Sequence, residues 1–243
     1  MEKRIIARGL LAGAIASVAA FVFARTFVEP AIDRAIAFEE AHAGGHDHGM
    51  EVFSRGVQAN IGMGFGVLAF GVAMGALFAV VYSVVYGRVG NVSPRLLSVL
   101  VAAGMFLSLY VIPFLKYPAN PPAVSLEETI RQRTLLYLLM VVLSAALFAA
   151  AVWLGRNLVE RFAAWSATLI ASAAYVVAVS VVMLLLPVID ETPDDFPADA
   201  LYEFRLYSLG TQFVLWTIIA VVFGSMAQRL LGEPQRQESF VPA

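Results

Sequence analysis

The sequence predicts an all-α integral membrane protein with six transmembrane helices, folded as one membrane domain over residues 1–243. Hydrophobic residues make up 60% of the chain and charged residues only 14%, whereas charged residues are about 25% of an ordinary soluble domain. The hydrophobic residues also come in long uncharged blocks instead of alternating with polar ones, which is typical of membrane-spanning helices. We therefore expect membrane lipid, and no nucleic acid, around the chain.

The absence of cysteine narrows the chemistry that the chain can carry. Without cysteine, there is no disulfide, no thiolate metal site and no iron–sulfur cluster. No segment resembles a glycine-rich phosphate-binding loop, so the chain is not expected to hydrolyse ATP by itself.

The first predicted helix follows a short basic start and runs to Val28. Its uncharged part, between Arg8 and Arg25, is short for a membrane span, but both arginines can extend their guanidinium groups to the interface. A cleaved signal peptide is the alternative, because Val22-Phe23-Ala24 loosely resembles a cleavage site. We predict a retained first helix, since an uncut segment explains the spacing of the later spans better.

The second predicted helix, an uncharged run over residues 56–87, carries two pairs of glycines spaced four residues apart. Glycines with this spacing allow a second helix backbone to approach closely. Gly9 and Gly13 show the same spacing in the first helix, so the first two helices are predicted to pack together. The pairs in the second helix are Gly62 with Gly66 and Gly71 with Gly75.

Four further uncharged runs complete the six predicted spans. Short turns at residues 87–95 and 156–161 join the second run to the third and the fourth to the fifth. The helices therefore pair as three hairpins, over residues 1–87, 93–161 and 162–231, with a tail over residues 232–243. The four runs are Leu96–Leu115, Thr134–Gly155, Phe162–Ile189 and Leu206–Gln228.

The charged residues favour an orientation with both termini in the cytoplasm. In that orientation nine of the 16 Lys and Arg residues are cytoplasmic and seven are external, a weak bias in the usual direction. Fourteen of the 18 acidic residues fall on the external side. Acidic residues hardly steer insertion, but an acidic external face would concentrate cations near the membrane.

A repeat is predicted to relate the three hairpins. Each odd-numbered helix is expected to end near a proline, and each external loop returns through a glutamate followed closely by an arginine. Three parallel repeats would give a pseudo-three-fold bundle, and the alternative is a chance recurrence of these residues at helix ends. The prolines are Pro30, Pro113 and Pro187, and the pairs are Glu51/Arg55, Glu128/Arg131 and Glu203/Arg205.

All three histidines lie in one glycine-rich polar stretch, Glu39–Glu51, between the first two apolar runs. Imidazole and carboxylate together are the ligands of zinc, cobalt, nickel or copper. The glycines matter because a rigid helix would place His46 and His48 on different faces, whereas a flexible loop lets them converge. We predict a metal-capturing loop, and the alternative is a solvated loop whose histidines have no role. The predicted ligands are His42, His46, His48, Asp47, Glu40 and Glu51.

No Asp or Glu lies in the middle of any predicted span, where pumps and proton-coupled carriers commonly place one. Polar side chains near the external ends of the helices are candidates for a vestibule below the histidine stretch. The alternative is that they only form hydrogen bonds between helices. These side chains are Gln58, Asn60, Arg55, Arg205 and Gln212.

Several of these stretches resemble the CbtA family of predicted cobalt transporter subunits. The resemblance rests on Phe27–Ile32 and the Glu39-Glu40 that follows, on the histidines around Asp47, on the glycine-rich second helix, and on the segments Lys116–Ala123 and Phe196–Arg205. It covers nearly the whole chain. The resemblance implies a cobalt permease component for cobalamin synthesis, with a small partner, CbtB, that contributes one helix and a histidine-bearing tail.

We therefore predict the membrane component of a divalent-metal uptake transporter, with cobalt as the suspected cargo and no enzymatic activity. No permanently bound cofactor is expected, and the possibility of a homo-oligomer stays open. The alternatives are a non-transporting metal sensor or scaffold and a metal-dependent membrane enzyme. A flexible loop offers no rigidly held acid or base for an enzyme, and a scaffold would not need an acidic external face.

Overall fold

The computed structural model describes residues 2–42, 54–90, 92–124 and 127–231. In these residues the chain forms six helices that are long and apolar enough to cross a membrane, and it forms no strand. The predicted fold class is therefore confirmed. The helices are α1 (Lys3–His42), α2 (Arg55–Val85), α3 (Pro94–Lys116), α4 (Glu127–Leu158), α5 (Ala164–Leu185) and α6 (Ala198–Leu231).

The expectation that the first helix ends near Pro30 is wrong. α1 continues without a break to His42 and has a π-helical turn at Ala24–Val28, just before the proline. A proline has no N–H to donate, and its ring crowds the carbonyl four residues earlier. The wider π turn, in which the Glu29 N–H donates to the carbonyl of Ala24, accommodates the proline inside the helix.

α3 uses the same combination, a π-helical turn at Leu107–Val111 followed by Pro113, and it ends at Lys116. α5 ends at Leu185, just before Pro187. These two prolines therefore lie near helix ends, as predicted. The repeat of three hairpins remains a prediction.

α1 and α2 pack through the glycines that the sequence singled out. Gly9 and Gly13 face Gly71 and Gly75 so closely that an added Cβ at any of the four would overlap the opposing helix. A Cβ on Gly75, for example, would lie 2.9 Å from the backbone nitrogen of Gly13. By contrast, a Cβ on Gly66 would meet nothing within 4 Å, so only the second glycine pair of α2 forms this contact.

α6 completes the central core with α1 and α2, and α3 packs against α6. The Phe223 ring lies edge-on to Phe78 and Tyr82 of α2, with ring centroids 5.0 Å and 4.8 Å apart. The buried Ser98 hydroxyl of α3 donates to the carbonyl of Ala220 of α6 at 2.7 Å. These four helices hold most of the buried side chains.

α4 and α5 form a pair at the edge of the bundle. α5 packs on α4, and α4 contacts α3 mainly at residues 107–116, the last part of α3. Between α4 and α5, Met140 is fully buried and the Ser144 and Tyr175 hydroxyls lie 2.9 Å apart. Many other apolar side chains of the two helices are exposed, which is the surface that lipid would cover.

The end of α1, the start of α2 and the connections that precede α4 and α6 lie at one end of the bundle. Arg34 of α1 pairs there with Glu203 of α6, and the Tyr117 hydroxyl donates to the carbonyl of Pro187 at 2.8 Å. We call this the loop end, formed by residues 29–42, 54–58, 116–124, 127–134 and 186–205. The two short turns lie at the opposite end, where Gly87 adopts the left-handed φ of 77° that favours glycine.

Candidate functional site

The predicted metal ligands lie only partly within the described residues. His46, Asp47, His48 and Glu51 fall outside them, so their metal binding remains a prediction. Glu40 and His42 belong to the last turn of α1, and both side chains are exposed. In the part of the chain that the structure describes, no three His, Asp or Glu side chains are grouped as a metal site.

His42 links the end of α1 to the connection between α5 and α6. Its Nδ1 lies 2.8 Å from the carbonyl oxygen of Phe38, and its Nε2 lies 3.1 Å from Oδ2 of Asp195. A carbonyl and a carboxylate both accept hydrogen bonds, whereas a neutral imidazole has only one N–H to donate. Both acceptors are therefore satisfied when each ring nitrogen of His42 carries a proton, or when another cation takes the place of the proton on Nε2.

The residues proposed for a vestibule lie in different surroundings. Arg55, at the start of α2, pairs with Glu29 and, at 3.1 Å, with Oδ1 of Asp33. Asn60, one turn further along α2, accepts a hydrogen bond from Nε of Arg25 at 3.1 Å. These contacts join the start of α2 to one face of α1.

The other vestibule candidates lie on α2 and α6. Gln58 begins the π-helical turn Gln58–Gly62 of α2. Arg205 donates to the carbonyl of Ala119 at 3.3 Å and to Oδ1 of Asn120 at 2.9 Å. Gln212 lines a cavity of about 200 Å³ between α1, α2 and α6, and its buried Oε1 accepts no hydrogen bond from the described residues. The vestibule role of these side chains remains a prediction.

A buried carboxylate that the sequence analysis did not single out joins two of the long connections. Glu191, before α6, is 6% exposed. It accepts hydrogen bonds from Thr129, from Arg133 at 3.0 Å and from Asn120 at 3.3 Å. Arg133 and Asn120 also line an open cavity of about 350 Å³ between α3 and α4, together with Tyr110. Four polar groups thus meet at the base of the loop end.

A second buried carboxylate belongs to α1. Glu29 is 2% exposed, its Oε1 pairs with Arg55, and its Oε2 has no hydrogen-bond partner in the described part of the chain. Taking a carboxylate out of water costs several kcal/mol unless an opposite charge compensates. Arg55 supplies that charge, and it also contacts Asp33, which lies one turn further along α1.

Residues 2–228, nearly the whole chain, match the family described as "Probable cobalt transporter subunit (CbtA)". The chain belongs to the CbtA family. No curated protein and no solved structure gave a match. The resemblance inferred from the sequence is therefore confirmed, and CbtA membership together with six apolar helices identifies a multi-pass membrane protein.

The CbtA description names a subunit of a transporter, which implies a partner and a transported cobalt ion, and suggests transport rather than catalysis. The sequence analysis did not select Glu29 and Glu191 of this CbtA protein as site residues. Both carry buried carboxylates. A local signal was present, because Glu29 directly precedes Pro30 and Glu191 lies two residues before Pro193. An acid beside a proline at the end of an apolar run can lie inside a continued helix or a packed loop.

Proposed function

We propose that this CbtA protein is the membrane component of a cobalt uptake transporter, with its loop end outside and both termini in the cytoplasm. The ion is captured at the loop end by the stretch Glu39–Glu51 together with Asp195. A small single-helix partner of the CbtB kind completes the transporter. Membership of the family supports the cargo and the partner, and the loop end supplies the chemistry for capture.

The observation that carries the capture step is the contact between His42 and Asp195. Two ligand atoms of a tetrahedral ion, each about 2.0–2.2 Å from the metal, lie roughly 3.3–3.6 Å from each other. The His42 Nε2 and the Asp195 Oδ2 are 3.1 Å apart, so small side-chain movements would let both bind one ion. His46 and His48 follow on the same stretch and would supply further nitrogen ligands.

The charge of the loop end supports the same function. In the proposed orientation, fourteen of the 18 acidic residues and only seven of the 16 basic ones lie on the external side. Such an excess raises the local concentration of cations. Imidazole then favours cobalt, nickel, copper or zinc over calcium and magnesium, which prefer oxygen ligands.

Replacing His42, His46 and His48 together by alanine is expected to reduce cobalt uptake about tenfold at limiting external metal. Uptake at saturating cobalt should change little, because capture affinity matters only while the site is partly empty. The measurement is uptake of radioactive cobalt into cells that carry the chain and its partner. Asp195→Asn should give a smaller loss of the same kind.

The matched control for this experiment is Asp194→Asn, a neighbouring acid for which no contact with His42 is found. It should leave uptake unchanged. Uptake like that of the parent by the triple alanine variant at limiting metal would remove the histidines from the mechanism. The route would then begin at Gln58, Asn60 and Gln212 or on the partner.

The proposed orientation is tested with reporter fusions. A reporter fused after Arg236 should behave as cytoplasmic, and one inserted near Gly45 should behave as external, because six spans place these positions on opposite sides. Activity of periplasmic and cytoplasmic reporters at each position is the measurement. An external C-terminal reporter would contradict the orientation and would point to cleavage of the first helix.

A further inference from the structure

The contact of Arg55 with two carboxylates of α1 is a feature of the loop end that the capture step does not use. The side chain of Asp33 is 61% exposed, that of Arg55 34% and that of Glu29 only 2%. The three groups therefore form a series that leads from solvent to a buried carboxylate. The guanidinium of Arg55 bridges its two ends.

The charges in this cluster do not balance. Glu29 and Asp33 together carry two negative charges, and Arg55 supplies one positive charge. Arg25 is the next charged residue along the same face of α1, and its guanidinium donates to Asn60. A divalent cation would neutralise both carboxylates, whereas a guanidinium neutralises only one.

The hydrogen bonding of the buried pair is also incomplete. The Oε2 of Glu29 and the Nε of Arg55 are both buried and have no hydrogen-bond partner among the described residues. Buried polar atoms are normally paired, and each exception costs free energy. An ion that bound both oxygens of Glu29 would satisfy the first of these atoms and would release Arg55 toward solvent.

We propose that Glu29 and Asp33 form a second, inner binding site for a divalent cation, and that Arg55 is the resident cation which the ion displaces. The inference rests on the proposed function, because the ion reaches this site from the outer capture stretch. Carboxylate oxygens and water complete the coordination of the ion. Competition from Arg55 keeps the affinity low, so the site binds an ion and also releases it.

The helices on both sides of the site carry the same irregularity. The π-helical turn of α1, Ala24–Val28, ends directly before Glu29, and the π-helical turn of α2, Gln58–Gly62, begins shortly after Arg55. Turns of this kind occur frequently at functional sites. The turn of α1 also accommodates Pro30, whereas α2 contains no proline, so it is the turn of α2 that supports a role of the cluster in binding.

The test uses the full-length chain purified in detergent, with cobalt(II) as the only added ligand. The background is the triple alanine variant of His42, His46 and His48, so that the outer histidines do not bind the metal. Arg55→Gln should lower the Tm without metal, because Glu29 is left buried and unpaired. Cobalt should restore the Tm of the Arg55→Gln protein. This protein should also bind radioactive cobalt at least about tenfold more tightly than the triple alanine background with Arg55 intact.

Two further variants complete this test. Adding Glu29→Gln to Arg55→Gln should abolish both the cobalt-dependent rise in Tm and the tighter binding. Arg34→Gln breaks an exposed ion pair at the same end and should leave cobalt affinity unchanged. An Arg55→Gln protein that cobalt does not stabilise, or a double variant that binds cobalt equally well, would overturn the inner site.

A milder variant covers the case in which Arg55→Gln does not fold. Arg55→Lys keeps the positive charge but loses the planar guanidinium that contacts both carboxylates. It should fold and bind cobalt several-fold more tightly than the parent with Arg55. Unchanged cobalt affinity in Arg55→Lys would also overturn the inner site.

The inner site and the proposed function fail in different measurements. The Tm and binding experiments need neither a membrane nor the partner, whereas capture by the histidines is measured by uptake into cells. Cobalt-dependent stabilisation combined with normal uptake by the triple alanine variant would keep the inner site and reject the outer capture. Loss of uptake by the triple alanine variant, without stabilisation of the Arg55→Gln protein by cobalt, would keep the outer capture and reject the inner site.

Discussion

Gly13→Ala is expected to destabilise the folded bundle by about 3 kcal/mol, the upper end of the usual range for overpacking. A Cβ on Gly13 would overlap the carbonyl group of Gly71 and lie 3.1 Å from the Cα of Gly75. Both obstacles are backbone atoms, which cannot move aside as a flexible side chain can. The measurement is the free energy of unfolding of the protein purified in a mild detergent, obtained by adding increasing amounts of a denaturing detergent.

Gly66→Ala is the matched control, because this glycine also lies inside α2 but its added Cβ would meet nothing within 4 Å. Alanine favours a helix over glycine by roughly 0.8–1.0 kcal/mol. The control should therefore be neutral or slightly more stable than the parent. Equal losses of stability in the two variants would show that α1 and α2 are not in close backbone contact.

Arg133→Met should destabilise the loop end by about 3–5 kcal/mol, the usual cost of leaving a buried charge without its partner. Arg133 pairs with Glu191, which is 6% exposed, and it also donates to the carbonyl of Pro118. Among the described residues, its removal leaves the carboxylate with the hydrogen bonds from Thr129 and Asn120. Thermal unfolding and proteolysis of the connection before α6 would both measure the loss.

Arg34→Met provides the comparison, since it breaks the exposed ion pair with Glu203. Exposed pairs are worth about 0–1 kcal/mol, so this variant should unfold almost like the parent. Adding Glu191→Gln to Arg133→Met should recover part of the lost stability, because the buried charge is then absent. If the two arginine variants lost equal stability, Glu191 would not be buried as described.

The spans and their closest contact were predictable because their signals are local in the sequence. The length of an uncharged apolar run fixes a membrane helix, and glycines four residues apart indicate a close helix contact. The packing of α1 on α2 was predicted in this way, although the spacing did not distinguish the pair Gly71 and Gly75, which forms the contact, from Gly62 and Gly66. The continuation of α1 through Pro30 was not, because a π-helical turn has no comparable sequence signal.

The polar contacts of the candidate site were less accessible to sequence analysis. The partner of His42 is Asp195, and the partners of Glu191 include Asn120 and Arg133. These residues come together because the end of α1 and the connections before α4 and α6 pack at one end of the bundle. The spacing of residues along the chain does not indicate such packing. His42 could therefore be predicted as a metal ligand from the sequence, whereas its neighbour Asp195 could not.

The unbroken course of α1 also sets a mechanical property of the protein. At 1.5 Å per residue, about 20 Å of continuous helix separates Glu29 from His42, roughly half the thickness of a bilayer with its headgroups. A flexible loop would absorb a movement of its tip, whereas a helix transmits it along its length. A tilt of about 10° at the level of Glu29 displaces His42 by roughly 3–4 Å. If an ion binds at His42 as proposed, any movement that it causes there is transmitted to the helix at Glu29.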